Sequence, residues 1–215
     1  MISLLDVRPV KRLLCLGAHC DDIEIGAGGT VMRLVERSPA LEITWVVVAG
    51  ADAVRAEEAR RAAAAFTAGA ARVDVRVLQF PESYLPWQGA AVKQSLEEIR
   101  KTCDPDLILT HHDDDRHQDH RLVAELTWNT WRDHAILEYE IPKWDGDLGR
   151  PNVFVPLTGA QCRRKVEAIL ANFPSQKSRA WFDADVFNAL LRLRGVECNA
   201  PERHAEAFHA RKLVL

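Results

Sequence analysis

The sequence predicts an α/β fold built on a Rossmann-like, doubly wound and mostly parallel sheet flanked by helices. Three observations predict it. Short apolar runs alternate along the chain with longer helix-forming segments. The runs at 41–49 and 106–111 are nearly continuous in β-branched and aliphatic residues, as strands buried on both faces are. The segments between runs are long enough to serve as helical crossovers between parallel strands.

Taken in order, residues 12–18 read as the first strand and 28–37 as the first helix, led in by Gly26-Ala27-Gly28-Gly29-Thr30. The run 41–49 is the second strand. Residues 53–68 are Ala-rich with interspersed Arg and Glu, a strong helix by propensity, and Gly69 is placed to end it. A strand at 73–80, a helix at 90–101, a strand at 106–111 and a helix at 119–133 continue the alternation. Beyond that it loosens. Strands at 136–141 and 153–157 flank a polar loop, 142–152, that contains two Gly and two Pro. Helices at 160–172 and 183–194 and a closing strand at 207–215 complete the reading. With no internal repeat, low-complexity tract or linker, residues 1–215 read as one domain whose last third shapes a pocket.

Composition is that of an ordinary globular protein, 47% hydrophobic and 27% charged. A net charge of −3 gives no electrostatic reason to expect a nucleic-acid partner. No stretch approaches the roughly 18 apolar residues of a membrane span. Residues 1–8 lack the basic segment and apolar length of a signal peptide. The cysteines (Cys15, Cys20, Cys103, Cys162, Cys198) form no CxxC pair, so neither a disulfide framework nor a thiolate zinc site is signalled. A cytoplasmic location is the expectation.

Two clusters carry chemistry. Gly17-Ala18-His19-Cys20-Asp21-Asp22-Ile23-Glu24 follows the first strand, and His117-Gln118-Asp119-His120 follows the strand at 106–111. Open α/β sheets place their ligands at the C-terminal ends of parallel strands. If the two strands are neighbours, His19, Asp22 and His120 form a His₂Asp site for a divalent metal, with a position left for water. Zn²⁺ suits this donor set, and Fe²⁺ or another divalent ion fits it as well. Asp21 is then a general base beside the metal. His117 is placed to stabilise an oxyanion or protonate a leaving amine, and Asp119 to orient an imidazole from behind. The competing reading makes 21–24 a solvated helix-capping turn and 111–116 a charged surface loop. Trp87 and Trp144 lie in loops, where they can stack on the flat apolar face of a ligand. Ser175 and Gln176 are weaker candidates for lining the pocket.

At these residues the sequence resembles the LmbE-like, or PIG-L, family of zinc-dependent N-acetyl-sugar deacetylases. The family's Ala-His-Pro-Asp-Asp-x-Glu motif stands here as Ala18-His19-Cys20-Asp21-Asp22-Ile23-Glu24, and its His-x-Asp-His motif as His117-Gln118-Asp119-His120. The resemblance covers roughly residues 10–135, and Ala205-Glu206-Ala207-Phe208 is similar to a common C-terminal element. It implies His19, Asp22 and His120 as metal ligands, Asp21 as base, and His117 as the residue that holds the tetrahedral intermediate or acts as acid. It further implies Arg55 as a contact to sugar hydroxyls, against an exposed helix charge, and Glu82 as an acidic sugar contact, against a plain loop carboxylate. Cys20 replaces the family's Pro and reads either as a packed thiol or as a fourth ligand.

The expected activity is hydrolytic removal of an N-acetyl group from an amino sugar or sugar conjugate, in a homo-oligomer as the resemblance suggests. An amidase of a larger conjugate, such as a thiol-sugar adduct or antibiotic precursor, uses the same chemistry. A sugar-binding protein without turnover is a third reading. A dinucleotide-binding module is disfavoured, because Gly26-Ala27-Gly28-Gly29 is not GxGxxG and the acidic run before it repels pyrophosphate.

Overall fold

The computed structural model describes residues 10–213. Among these described residues seven strands form one sheet: β1 (Arg12–Gly17), β2 (Glu42–Val47), β3 (Arg72–Val77), β4 (Leu107–His111), β5 (Ile136–Tyr139), β6 (Val153–Pro156) and β7 (Ala205–His209). Their order is β3-β2-β1-β4-β5-β7-β6. The first five are parallel, and β7 pairs antiparallel with both β5 and β6. This is the doubly wound arrangement the alternation predicts, extended by an antiparallel edge from the last third of the chain.

Six α-helices among the described residues cover the sheet: α1 (Asp22–Arg37), α2 (Ala53–Phe66), α3 (Gly89–Arg100), α4 (Gln118–Thr130), α5 (Gly159–Asn172) and α6 (Ala184–Glu197). Successive side chains of β1 go to opposite faces. Leu13 and Cys15 join a core with Phe66 of α2 and Ile169 of α5. Leu14 and Leu16 join a second core with Val92 of α3 and Val123 of α4. No helix among the described residues is long and apolar enough to cross a membrane.

Most boundaries fall within about three residues of the sequence reading, and two elements depart further. The first helix starts at Asp22, not at 28, so the Gly-rich stretch lies inside α1. Those glycines serve close packing. A Cβ at Gly26 would stand 2.2 Å from the Tyr139 ring, and one at Gly28 would stand 2.4 Å from Phe66. The last strand is Ala205–His209, displaced from 207–215. Its partner β6 has only four residues, and Arg211 and Lys212 leave the sheet to lie over the Trp128 ring. Residues 214–215 lie outside the described range.

The C-terminal part also grips the helix that carries Asp22. Glu206 of β7 accepts the backbone N–H groups of Gly29 (2.7 Å) and Thr30 (2.6 Å). Lys165 of α5 donates to Glu206 (2.6 Å) and to the Ile25 carbonyl (2.6 Å). All of these groups are buried, so the pair is satisfied by hydrogen bonds rather than by solvent.

Candidate metal centre

Strand β1 is hydrogen-bonded to β2 on one side and β4 on the other, so the chain winds away in opposite directions from the β1–β4 seam. The loops that follow β1 and β4 therefore emerge side by side at the switch point. They are stitched together where the Ala18 N–H donates to His111 Nε2 at 2.9 Å.

Three donors converge at this seam. His19 Nδ1 lies 3.0 Å from His120 Nε2 and 3.3 Å from Asp22 Oδ2, and His120 Nε2 lies 3.4 Å from Asp22 Oδ1. The far side of each imidazole is engaged by a carboxylate. His19 Nε2 donates to Asp119 Oδ2 at 3.0 Å, and His120 Nδ1 donates to Asp115 Oδ2 at 2.9 Å. With the proton on those outer nitrogens, the inner ones present bare lone pairs to each other and to a carboxylate. Such an arrangement is relieved by a cation at its centre or by a proton shared between the rings. Metal–donor bonds of about 2.0–2.1 Å in tetrahedral geometry set donors about 3.3 Å apart, and these separations lie near that value, with Asp22 offering Oδ2 toward His19 and Oδ1 toward His120.

Electrostatics agree. Burial penalises charge on both His19 and Asp22. Even so, the Asp22 charge and the hydrogen bonds that His19 donates to Asp119 and Asp22 push His19 up to about 10, and the surrounding imidazoles hold Asp22 well below the usual carboxylate range. The cluster attracts positive charge strongly.

Other donor groups also come within 4.8 Å of one another: His19, His117 and His120; Asp22, His111 and His120; and His112, Asp113 and Glu138. In the first two the extra imidazole is already used. The lone pair of His111 Nε2 takes the Ala18 N–H, and His117 Nδ1 takes the Asp119 N–H at 3.2 Å as the N-cap of α4. In the third, Glu138 is bound by Arg211 at 3.0 Å and by Trp128. His111 is fully buried, stacked 4.0 Å from His120 and lowered to about 4 by burial and by its charged neighbour, so it stays neutral.

Because His117 accepts at Nδ1, its proton sits on Nε2. Burial and the nearby His120 and His19 lower its pKa, so a neutral donor borders the cluster with its ring 4.7 Å from His19. Asp21 accepts from Arg55 Nη2 at 3.1 Å through Oδ1, whereas its buried Oδ2 has no partner. Burial raises the Asp21 pKa, and Arg55 opposes that rise.

A pocket of about 150 Å³ opens over these groups, walled by Arg55, Glu82, His117, Lys143, Trp144 and Trp181. Arg55 is mostly buried rather than an exposed helix charge, and its Nη1 has no partner. Glu82 sits exposed at the rim. Trp144 is 67% exposed and meets Trp181 edge-on at 6.3 Å. Trp87 does not wall this pocket and sits beside Tyr84 in solvent. Gln176 reaches the pocket, whereas Ser175 is held by Glu58.

The solvated-turn and surface-loop readings do not hold. Asp21, Asp22, Glu24, His111 and Asp115 are all buried, and only Asp113, Asp114 and Arg116 of the second run face solvent. Glu24 has neither carboxylate oxygen paired, and burial raises its pKa well above the ordinary range. Cys20 packs into the core with its thiol toward the Ala49 carbonyl at 3.7 Å, and burial pushes it up to about 12. His111, Asp115, Lys143 and Trp181 escaped the sequence reading as site residues. The signals were present only as a strand-terminal His, the last of three Asp, and the neighbour of Trp144.

Fold and site together define a doubly wound α/β protein with a His–Asp centre at its switch point. The chain belongs to the PIG-L deacetylase family. The family model, described as GlcNAc-PI de-N-acetylase, matches residues 14–131 and so spans both clusters. The chain is 33% identical over 144 residues to the uncharacterized deacetylase YaiS of Escherichia coli (strain K12), covering 61% of this chain and 75% of that protein. Its fold is similar to N,N'-diacetylchitobiose deacetylase from Pyrococcus horikoshii, with a TM-score of 0.76, 19% identity, and 96% and 86% of the two chains covered. It is also similar to GalB, the 4-carboxy-2-hydroxymuconate hydratase of Pseudomonas putida KT2440, with a TM-score of 0.77, 16% identity, and 95% and 98% covered. At those identities the two structures speak to the fold.

Proposed function

We propose that this protein is a metal-dependent hydrolase that removes the N-acetyl group from an amino sugar or sugar conjugate. The observation that carries the reading is the convergence of His19 Nδ1, Asp22 and His120 Nε2 beside the unpartnered Asp21 Oδ2. Those three side chains would hold the ion, with Zn²⁺ favoured and Fe²⁺ compatible. A divalent ion there supplies Lewis acidity toward water and toward the amide carbonyl.

The chain's own groups account for the proton transfers. Asp21 takes a proton from the attacking water through Oδ2, while Arg55 fixes the carboxylate through Oδ1. The neutral His117 donates its Nε2–H to the oxyanion that forms as the water oxygen bonds to carbon. The carbon–nitrogen bond then breaks, the proton held by Asp21 passes to the departing amine, and acetate leaves. In this reading Arg55 Nη1, Glu82 and Trp144 would contact the sugar.

An amidase acting on a larger conjugate uses the same groups. The open aromatic rim of Trp144 and Trp181 favours a substrate extending beyond the acetylated unit. The test is acetate release by the zinc- or iron(II)-loaded protein from a panel of N-acetyl sugars and their nucleotide and lipid conjugates. No release from any of them contradicts the deacetylase reading, and release of a larger acyl acid selects the amidase.

A further inference from the structure

The two carboxylates behind the histidines hold more than imidazoles. Asp119 Oδ2 accepts from His19 Nε2 and also from the Ser83 backbone N–H at 2.6 Å, while its Oδ1 accepts the Leu85 N–H at 3.2 Å. Ser83 is held at φ 70°, a region sparsely populated by non-glycine residues, and that conformation aims its N–H at Asp119. The turn thus pinned carries Glu82, one wall of the pocket.

On the other side, Asp115 Oδ2 accepts from His120 Nδ1 and from Lys143 Nζ at 3.0 Å. Lys143 also donates to Asp147 Oδ2 at 2.5 Å, and that same oxygen takes the Arg116 backbone N–H at 2.7 Å. The segment thus pinned carries Trp144, the opposite wall. The Lys143 side chain is only 8% exposed and its ammonium is committed to these carboxylates, so it serves as a tether and not as a substrate contact.

We propose that Asp115 and Asp119 couple ion loading at the histidines to the placement of the two pocket walls, with Lys143 and the Ser83 amide as the positioning links. The inference rests on the metal-centre reading above. An ion on the inner nitrogens fixes both rings and strengthens their outer N–H donors. Each aspartate is then held in the orientation its loop needs. Linkage makes the effect reciprocal: loosening a wall weakens ion binding.

The test is hydrogen–deuterium exchange on the full chain, stripped with chelator and then reloaded with zinc. Zinc is expected to slow exchange at least tenfold at the amides of Ser83, Leu85 and Arg116. Lys143→Met is expected to lose the zinc effect at Arg116 while keeping it at Ser83 and Leu85, and to weaken cobalt(II) binding, read from its visible absorption, by about tenfold. Asp147→Asn cuts the same tether from its other end and serves if Lys143→Met does not fold. Zinc uptake with unchanged exchange at these amides overturns the coupling alone. So does a zinc effect at Arg116 that survives both substitutions. Failure to take up zinc or cobalt overturns the coupling together with the metal-centre reading.

Discussion

His19 and His120 point Nδ1 and Nε2 at each other across 3.0 Å, and each donates its remaining ring N–H to an aspartate of its own. Two imidazoles so arranged cannot both keep lone pairs inward without a cation or a shared proton between them.

Removing the ion should therefore cost stability. A ligand bound only by the folded state at a hundredfold excess over its Kd stabilises by about 2.7 kcal/mol. In a chain of this size that is about 5–10 °C in Tm. Thermal melts before and after chelation, with zinc added back, check the size and the reversal.

Metal retention and turnover should separate by substitution. His19→Ala should lose the ion. Asp119→Ala should weaken binding about 10–100-fold by releasing the His19 ring. Asp21→Asn should keep the ion and lower kcat about 10²–10⁴-fold. Metal content by mass spectrometry, set beside acetate release, makes the comparison.

Arg55 should govern the acid side of the pH–rate profile. Asp21 must be ionised to accept a proton, burial raises its pKa, and the Arg55 cation opposes that rise. In Arg55→Met the opposition is gone, so the Asp21 pKa climbs further and the acid limb moves to higher pH. An acid limb that stays put or moves down would assign the limb to another group.

The segment that carries Trp144 is closed at its base by a buried pair. Arg194 grips Glu140 at 2.6 and 2.9 Å, and Glu140 also accepts the Gly149 N–H at 3.1 Å. Arg194→Met should cost about 3–5 kcal/mol at neutral pH by stranding a buried carboxylate. Burial already raises the Glu140 pKa. The stranded group is therefore destabilising while ionised, and the penalty should shrink as pH falls and Glu140 takes up a proton. Melts of both proteins at pH 5 and pH 8 read the difference.

Trp144→Ala should raise KM with little change in kcat or Tm, because the ring is largely exposed and meets only the edge of Trp181. A full saturation curve separates the two parameters.

The doubly wound sheet was legible because central parallel strands are buried on both faces and must read as apolar runs. The two clusters were legible because His19 with Asp22, and His117 with His120, lie within one turn of each other. What could not be read is what burial supplies over long separations. Asp115 looks like its exposed neighbours Asp113 and Asp114 until Lys143, 28 residues on, is found against it. His111 reads as the start of a polar loop, yet it lies under the Ala18 amide, 93 residues away in sequence. The glycines of α1 read as the lead-in to the helix because their purpose, the close approach of Tyr139 and Phe66, belongs to the tertiary structure.

The central claim is that His19, Asp22 and His120 together hold one divalent ion. Anomalous scattering at the zinc edge from crystals of the zinc-loaded protein tests it most directly. The account predicts a peak bonded to His19 Nδ1, the Asp22 carboxylate and His120 Nε2. A peak ligated instead by His112, Asp113 and Glu138, or no peak at the β1–β4 seam, would contradict it.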